Sequence, residues 1–562
     1  MGTDADYDPT GYVIDDGVLY EFDALAALSV LSEAKRRQLD SILAGRANQD
    51  MLLKVQAFFY AHKDDLKAVA RNQVQVSPMM EAFYQERVGH VSQHETGGKK
   101  VQNQLEIQRT AWNPVVQQAI LPGSGLKGAV RTALLNKVND GEPLKKVEDR
   151  KTGRQRDETS QQLQNRLFVF KPGKFELDPF RLLRFGDASL MQPDAFATQV
   201  RFALNRKKSA VTDASGNLRQ SRAEQAGLYQ LLECLPGLMP RAFSASLEIQ
   251  SASNMPQGKW PSQQFDLIQI AAACNVFYGN RFNQEMALLR QRGYLDQDWD
   301  RKIKALLSAP WLNQAMRQGR AFLLRVGRHS GAESVTLEGV RNIKILRGRG
   351  ENPAYLDQAK TLWLAGDERM LQTQMQPFGW VLVEAHRAGE SLPGWPDDCI
   401  NSSIRDWQQQ IQQRQQRAAK QIQDRLEAER QTRLEAERQA AEQAAREQAA
   451  AEQAQRQQAE FNALPDSAKA LIRLRQEVAA LMPAAGQLDK DRYANLVGLL
   501  SKAAEQAQTW PEQDARSQLA LFLEQIFDQV GWYPAGLDKK KRQRQEQKKR
   551  DQIAALRQGM AS

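Results

Sequence analysis

The stretch Ile120-Leu121-Pro122-Gly123-Ser124-Gly125-Leu126-Lys127-Gly128-Ala129-Val130-Arg131-Thr132-Ala133-Leu134-Leu135 decides how this chain is read. The apolar run 119–121 predicts a short strand, Pro122 with the following glycines a turn, and the good helix formers beyond them a helix. Such a passage leaves the backbone N–H groups of the turn and of the first helical residues without partners. They converge where the positive end of the helix favours a phosphate. Glycine lets another backbone come close, and Lys127 and Arg131, four apart, add charge beside the turn.

Two better-known phosphate loops are excluded by context. The spacing Gly123-x-Gly125-x-x-Gly128 matches the dinucleotide fingerprint, but that unit needs a second buried strand about 20 residues on, and residues 136–166 are polar throughout. A Walker A loop needs Lys followed by Ser or Thr where this chain has Ala129-Val130. A tight turn that merely packs a helix on a sheet stays open as the plainer reading.

Outward from this segment, residues 1–400 read as mixed α/β (α+β). Short strands are predicted at 119–121, 167–170, 322–326 and 380–384, and helices at 52–69 and 265–273. The polar segments 136–166 and 205–225 are expected to be mobile loops. Residues 404–462 contain neither Gly nor Pro and predict one long helix, on the order of 90 Å at about 1.5 Å per residue. Its apolar seam, Trp407, Ile411, Ile422 and Leu426, fades to alanine after Leu434, which favours a solvated spacer helix over a dimerising coil. Domains are therefore expected at 1–400, 401–465 (the spacer), 466–535 (a small all-α domain with three amphipathic helices) and 536–562. The last is nearly pure cation, Lys539-Lys540-Lys541-Arg542 to Lys548-Lys549-Arg550, and reads as a disordered basic tail or a nonspecific RNA contact.

With 77 Lys and Arg against 67 Asp and Glu in 562 residues, the formal net charge is +10, which favours a polyanionic partner. Cys234, Cys274 and Cys399 are spaced neither as a disulfide framework nor as a zinc site, so no cofactor or metal is expected and a reducing compartment is the default. The acidic start lacks a signal-peptide pattern, and no window approaches the ~20 apolar residues of a membrane span. A cytoplasmic location without membrane contact is the expectation.

The segment 105–110 together with 121–134 resembles the "IPGSSLKGAIRTAL" signature of RAMP-superfamily proteins in type III CRISPR systems. Three further segments agree in order: Pro179-Phe180-Arg181-Leu182-Leu183-Arg184-Phe185-Gly186-Asp187, the stretch 322–336 with its loop Gly327-Arg328-His329-Ser330-Gly331, and Pro377-Phe378-Gly379-Trp380-Val381-Leu382. The resemblance spans about residues 7–385 and is greatest to the fifth Csm subunit of type III-A complexes. It implies a ferredoxin-like, RRM-related core with insertions, packed on other RAMP backbone subunits and holding the 3′ part of the CRISPR RNA at the guide-distal end of the filament. Target single-stranded RNA would be met through the complex, and the chain would share in assembly and guide maturation in antiviral defence. The family also opens with a short strand before Tyr7; here Met1-Gly2-Thr3 stands where that strand should be ending, so the first core strand is expected to be absent or supplied elsewhere.

The candidate RNA contacts are Gly123, Ser124, Gly125, Lys127, Gly128 and Arg131 at the first loop and Arg325, Gly327, Arg328, His329, Ser330, Gly331 and Lys344 at the second. No aromatic RNP-type motif is present, so phosphate and ribose contacts are expected to dominate. No catalytic residue is assigned. The alternative is a RAMP-family endoribonuclease acting on repeat or target RNA, since some members cut with a histidine or a metal-bound aspartate. His329 is the only histidine in a glycine-rich loop and reads as a backbone contact, His62 and His386 as structural or surface residues. His90 and His94 are four apart, but Gly89, Gly97 and Gly98 predict a loop and no third ligand is near. Asp187 reads as a turn-forming hydrogen-bond partner, with a metal-assisted role left open.

Overall fold

A computed structural model describes all residues except 1, 46–48, 90–92, 95–99, 102–104, 150, 152, 194–195, 222–223, 225–226, 252–259, 347–349, 388, 402, 483–489, 535 and 559–562. The chain forms two compact units, Met1–Ala428 and Glu429–Ser562. In the first, the strands that position the site are β1 (Gly2–Asp6), β2 (Tyr12–Asp15), β3 (Val18–Glu21), β4 (Asn72–Gln75), β5 (Ile107–Thr110), β6 (Gln199–Lys207), β7 (Tyr229–Cys234), β8 (Ala321–Arg325), β9 (Thr361–Gly366), β10 (Gln376–Pro377) and β11 (Trp380–Glu384). All but β8 and β11 belong to one sheet in the order β1-β5-β7-β6-β4-β3-β2, with β9 also pairing with β6, and β10 with β9.

β6 is the hub. It pairs antiparallel with β7 from Gln199↔Cys234 to Leu204↔Tyr229, and on its other side with β9 from Phe202↔Gly366 to Lys207↔Thr361. With both edges paired, its residues 202–206 are also buried, Arg206 included. β8 and β11 form a separate antiparallel ladder running from Ala321↔Glu384 to Arg325↔Trp380. The first core strand, expected to be missing, is present: β1 pairs antiparallel with β5, Asp6 lying opposite Gln108.

Two helices join sheet and ladder, α1 (Gly123–Asn139) and α2 (Leu267–Gln291). α1 buries Leu126, Val130, Ala133 and Leu134. These meet Phe202 and Leu204 of β6, Cys274 and Phe277 of α2, and Phe322 and Leu324 of β8 in a single core. Burying each large side chain contributes roughly 1.5–3 kcal/mol. The Tyr278 hydroxyl donates to the Ala129 carbonyl at 3.0 Å, so this buried polar group is satisfied across the helix pair.

Three further expectations for the first unit are overturned. Residues 167–170 are no strand: a capping box at Thr159 and Gln162 starts a helix, Ser160–Leu167, and Val169 then turns the chain at φ 55°. Leu163 and Leu167, four apart, are its buried face, so the capping signal outweighed the β-propensity of a short apolar run. Segment 136–166 is not a mobile loop, since Lys146–Glu148 pairs with Gln155–Asp157, and Glu158, buried, receives Arg166 at 2.7 Å and the Lys145 amide at 2.9 Å. Segment 205–225 begins as the end of β6 and continues in a hairpin of Val211–Thr212 with Leu218–Arg219. In both segments the charges that suggested solvent find partners inside the fold.

Helix α3 (Ser403–Ala463) is continuous. Its early seam is neither solvated nor a dimer face: Ile411 and Ile422 are buried with Phe22, Leu31, Phe58 and Phe59. Arg425 donates to Asp65 and to the Val30 carbonyl, each at 2.6 Å. The second unit contains α4 (Asp466–Leu481), α5 (Lys490–Ala507), α6 (Gln513–Val530) and α7 (Lys539–Arg557), with Leu474, Leu496, Leu500, Leu519, Leu523 and Phe527 in its core. The stretch 536–562, expected to be a disordered tail, supplies α7, whose Ile553 and Leu556 join that core. Apolar anchors at the far end of the cation run, and an Asp538 cap at 2.9 Å from the Lys541 amide, hold it helical.

A Cβ on Gly123 would lie 2.5 Å from the Phe185 carbonyl oxygen, whereas one on Gly128 would meet nothing within 4 Å. Gly123→Ala is expected to lower stability by about 1–3 kcal/mol. Gly128→Ala, on the exposed side of the same helix, should raise it by about 0.5–1 kcal/mol. Urea melting of the two variants checks the pair, and equal effects would contradict the packing described.

Candidate functional site

The entry of α1 is built by the short strand Gln118–Ala119 before it and by the strand Leu183–Phe185 with the turn 186–188 that follows it. Leu121 bridges Ala188, and the Asp187 carboxylate accepts the Gly123 amide at 2.7 Å. The Gly125 and Leu126 amides turn back to the Pro122 carbonyl at 3.0 and 3.2 Å. The cluster of partnerless amides expected here is therefore largely satisfied within the protein, with Asp187 where a phosphate was expected. Charge complementarity at the helix start is the same in both cases.

Lys127 donates to the Leu183 carbonyl at 2.8 Å, and burial lowers its pKa. Arg131 reaches Asp178 at 2.9 Å and Gln164 at 3.0 Å, with its guanidinium over the Phe168 and Phe180 rings. Both cations clamp the 164–183 segment onto α1. Ser124 and Gly128 are exposed beside them, and the Ser124 amide has no protein partner among the described residues.

The second loop is arranged differently. Arg325, buried at the end of β8, is held by Glu285 and by the Phe378 carbonyl at 3.1 Å, over the Trp380 ring. Gly327 and Gly331 have φ of 83° and 80°, and His329 between them has φ of 64°, a conformation rare for a residue with a Cβ. What holds it is stacking: the imidazole lies 4.7 Å from the Trp363 ring at 27°, with Gln230 Oε1 3.0 Å from Nε2. Burial, reinforced by the Arg328 charge, lowers its pKa to about 4. Ser330 is buried. The Arg328 guanidinium alone of this loop's charges is left without a hydrogen bond or ion pair among the described residues.

Arg328 and Gly327 border a cleft of about 2340 Å³ between the β5-β7-β6 face and the β8-β11 ladder, and Leu121 and Leu126 of the first loop line it as well. Its walls are apolar for the most part, set with arginines. Four are neutralised: Arg109 by Glu21 at 2.8 Å, Arg201 by Asp367 at 2.5 Å, Arg241 by Glu384 at 2.8 Å, and Arg320 by Glu390. Arg387, just past β11, keeps a guanidinium without a hydrogen bond or ion pair among the described residues, like that of Arg328. Sequence reasoning missed Arg387, although its place after a predicted closing strand was a usable signal.

Lys344 lies elsewhere, on a hairpin of Ile343–Ile345 with Ala354–Leu356, directly opposite Tyr355. Lys344 is exposed and Tyr355 is 56% exposed, so an aromatic face and a cation stand side by side at the surface. This is the pairing that stacks a base and meets its phosphate. Tyr355 was not singled out from the sequence, since a lone tyrosine carries no pattern.

The acid–base candidates are engaged structurally. Glu233, enclosed at the cleft wall, has its pKa raised by burial and accepts the Thr198 hydroxyl at 2.7 Å and the Thr110 amide at 3.1 Å. His62 packs edge-on against Phe58, and His386 is exposed with Nδ1 3.0 Å from the Arg387 carbonyl oxygen. His90 lies outside the described residues, and His94 is placed only as a strand residue opposite Lys100. Among the described residues no group of three or more His, Cys, Asp or Glu could hold a metal ion.

Residues 97–255, the span containing the α1 entry and its clamp, match the family model of the RAMP superfamily. That span lies within the mixed α/β unit Met1–Ala428. Among solved structures, T. onnurineus Csm5 is similar with a TM-score of 0.36 and 13% identity, over 68% of this chain and 97% of that one. A chain of a Csm–crRNA–target RNA ternary complex from a type III-A CRISPR-Cas system is similar with a TM-score of 0.31 and 14% identity, over 68% of this chain and 96% of that one. No curated protein matches. No helix among the described residues is long and apolar enough to cross a membrane.

The His329 environment gives a pH signature. Its pKa falls from 6.5 to about 4 on folding, so the unfolded chain binds the extra proton between those values. The neutral ring's contribution is complete above pH 6.5 and is lost as pH falls towards 4. The difference in melting temperature between the wild type and His329→Gln is expected to shrink steadily from pH 7 to pH 4.5. A difference independent of pH would contradict the neutral, stacked imidazole.

Proposed function

We propose that this chain is a noncatalytic RNA-binding subunit of a type III CRISPR effector complex, of the Csm type. It would hold the 3′ part of the CRISPR RNA at the end of a filament of RAMP subunits and contribute to guide maturation and assembly. Target single-stranded RNA would be met through the complex and not by this chain alone. The RAMP-superfamily match at 97–255 and the motif resemblance support this reading. The observation that carries it is Arg328: in a cleft whose other arginines, Arg387 apart, are neutralised by carboxylates, a guanidinium on a tightly held loop is left for an anion. An apolar wall beside fixed cations suits bases and ribose along one side of a strand and phosphates along the other.

The endoribonuclease alternative needs a mobile proton carrier or a metal-binding aspartate. His329 is neutral and stacked, and Asp187 is engaged with the Gly123 amide. Incubation of the purified chain with labelled repeat RNA, with and without divalent metal, separates the readings. Cleavage that disappears in His329→Ala or Asp187→Ala would establish the nuclease instead.

For the RNA-gripping reading, Arg328→Gln with Arg387→Gln is expected to weaken binding of a single-stranded guide RNA by about 2–4 kcal/mol. The slope of log affinity against log salt should flatten by roughly 1.4, about 0.7 for each phosphate that is no longer neutralised. Tyr355→Ala should weaken binding by about 1–3 kcal/mol with the slope unchanged, as expected for removal of a base stack. Fluorescence anisotropy across a salt series reads both. An unaltered affinity and slope in the double arginine variant would remove the cleft from consideration.

A further inference from the structure

We infer that the second unit carries its own nucleic-acid surface, a cationic strip on α7 that grips the phosphodiester backbone of a strand independently of the RAMP cleft. The inference starts from how α7 is fixed. Lys549 is buried, its ammonium donating to the Trp532 carbonyl at 2.6 Å and to the Tyr493 hydroxyl at 3.1 Å, over the Phe527 ring. With Ile553 and Leu556 it sets the roll of the helix. A helix turning about 100° per residue then presents Lys540 and Arg544 on the side away from the core and Lys548 on the flank next to them, each about 6 Å from the next along the axis.

These three differ from most other cations of α7. Lys541 is within 3.7 Å of Asp538, Arg550 is 2.9 Å from Glu546, and Arg557 pairs with Glu524. Lys540, Arg544 and Lys548 are exposed and have no hydrogen bond or ion pair among the described residues. Like charges one turn apart oppose a helix by about 0.2–0.5 kcal/mol per pair, a penalty that a polyanion alongside would reverse.

Beside the strip runs a groove of about 620 Å³, where Arg544 and Lys548 are joined by Gln508, Gln547 and Gln552. Its one carboxylate, Asp551, already accepts Gln547 Nε2 at 2.8 Å. Amide side chains next to fixed cations can donate to phosphate and ribose without reading sequence. A membrane surface suits the strip poorly, because the outward face has no large apolar residue to enter a lipid interface. A merely solvated basic face would need neither the anchored roll nor the amide-lined groove.

The test uses the full chain with Lys540→Gln, Arg544→Gln and Lys548→Gln combined, and a control with Lys490→Gln and Lys502→Gln, two exposed cations elsewhere in the same unit. Binding of fluorescent uniform-sequence RNA and DNA strands is measured by anisotropy against salt, in the wild type and in the Arg328→Gln, Arg387→Gln background. The triple variant should lose about tenfold in affinity for both strands and about 2 in salt slope, in both backgrounds, with the control near the wild type. Lys540→Arg with Lys548→Arg should retain the slope. An unchanged slope in the triple variant, a loss equalled by the control, or a loss seen only with anionic vesicles overturns the inference. Failure of the cleft reading shows separately, as no effect of the two cleft substitutions alone.

Discussion

The seating of Gly123 on the Phe185–Gly186 backbone, closed by the Asp187 carboxylate on its amide, is the constraint from which the first unit takes its shape. No side chain fits between helix and turn there, so α1 can approach only in one position. With its start fixed, the buried face of α1 meets α2 and β6 together, and the ladder of β8 and β11 closes on the same core. Lys127 and Arg131 extend the clamp into the second and third turns. A motif that reads as an anion cradle is thus used to dock a helix, with a carboxylate as the internal anion.

Around the cleft one electrostatic pattern holds: four of its six arginines are neutralised by carboxylates inside the fold. Buried or half-buried pairs such as Arg109 with Glu21 and Arg325 with Glu285 add register and rigidity more than net stability. Arg328 and Arg387 therefore stand out among the cleft arginines by having no carboxylate partner among the described residues.

The sequence carried the fold class because its signals are local: the turn at Pro122, the helical period of α1 and α2, and the glycine- and proline-free run of α3. Those are propensity and periodicity, and they survive without tertiary knowledge. Segments 136–166 and 205–225 were misread for the opposite reason. Their charges are partnered by residues that the chain brings close only on folding, Glu158 with Arg166 and Glu333 with Lys208 among them. The site was half legible. Loop positions were visible, but composition cannot say whether Arg131 meets a phosphate or Asp178, and the exposed Tyr355 has no sequence pattern at all. In the tail, the run of cations concealed the apolar residues that decide its fate, Ile553 and Leu556.

The contacts of α3 with the first seventy residues have an effect on how the molecule can be made. Gln415 donates to the Ala70 carbonyl and Arg425 to Asp65, partners separated by 345 and 360 positions. Until α3 has left the ribosome, the cluster holding Phe22, Phe58 and Phe59 lacks Ile411 and Ile422. Through that interval the N-terminal helices form an adhesive surface, and a holdase chaperone would find its natural substrate there.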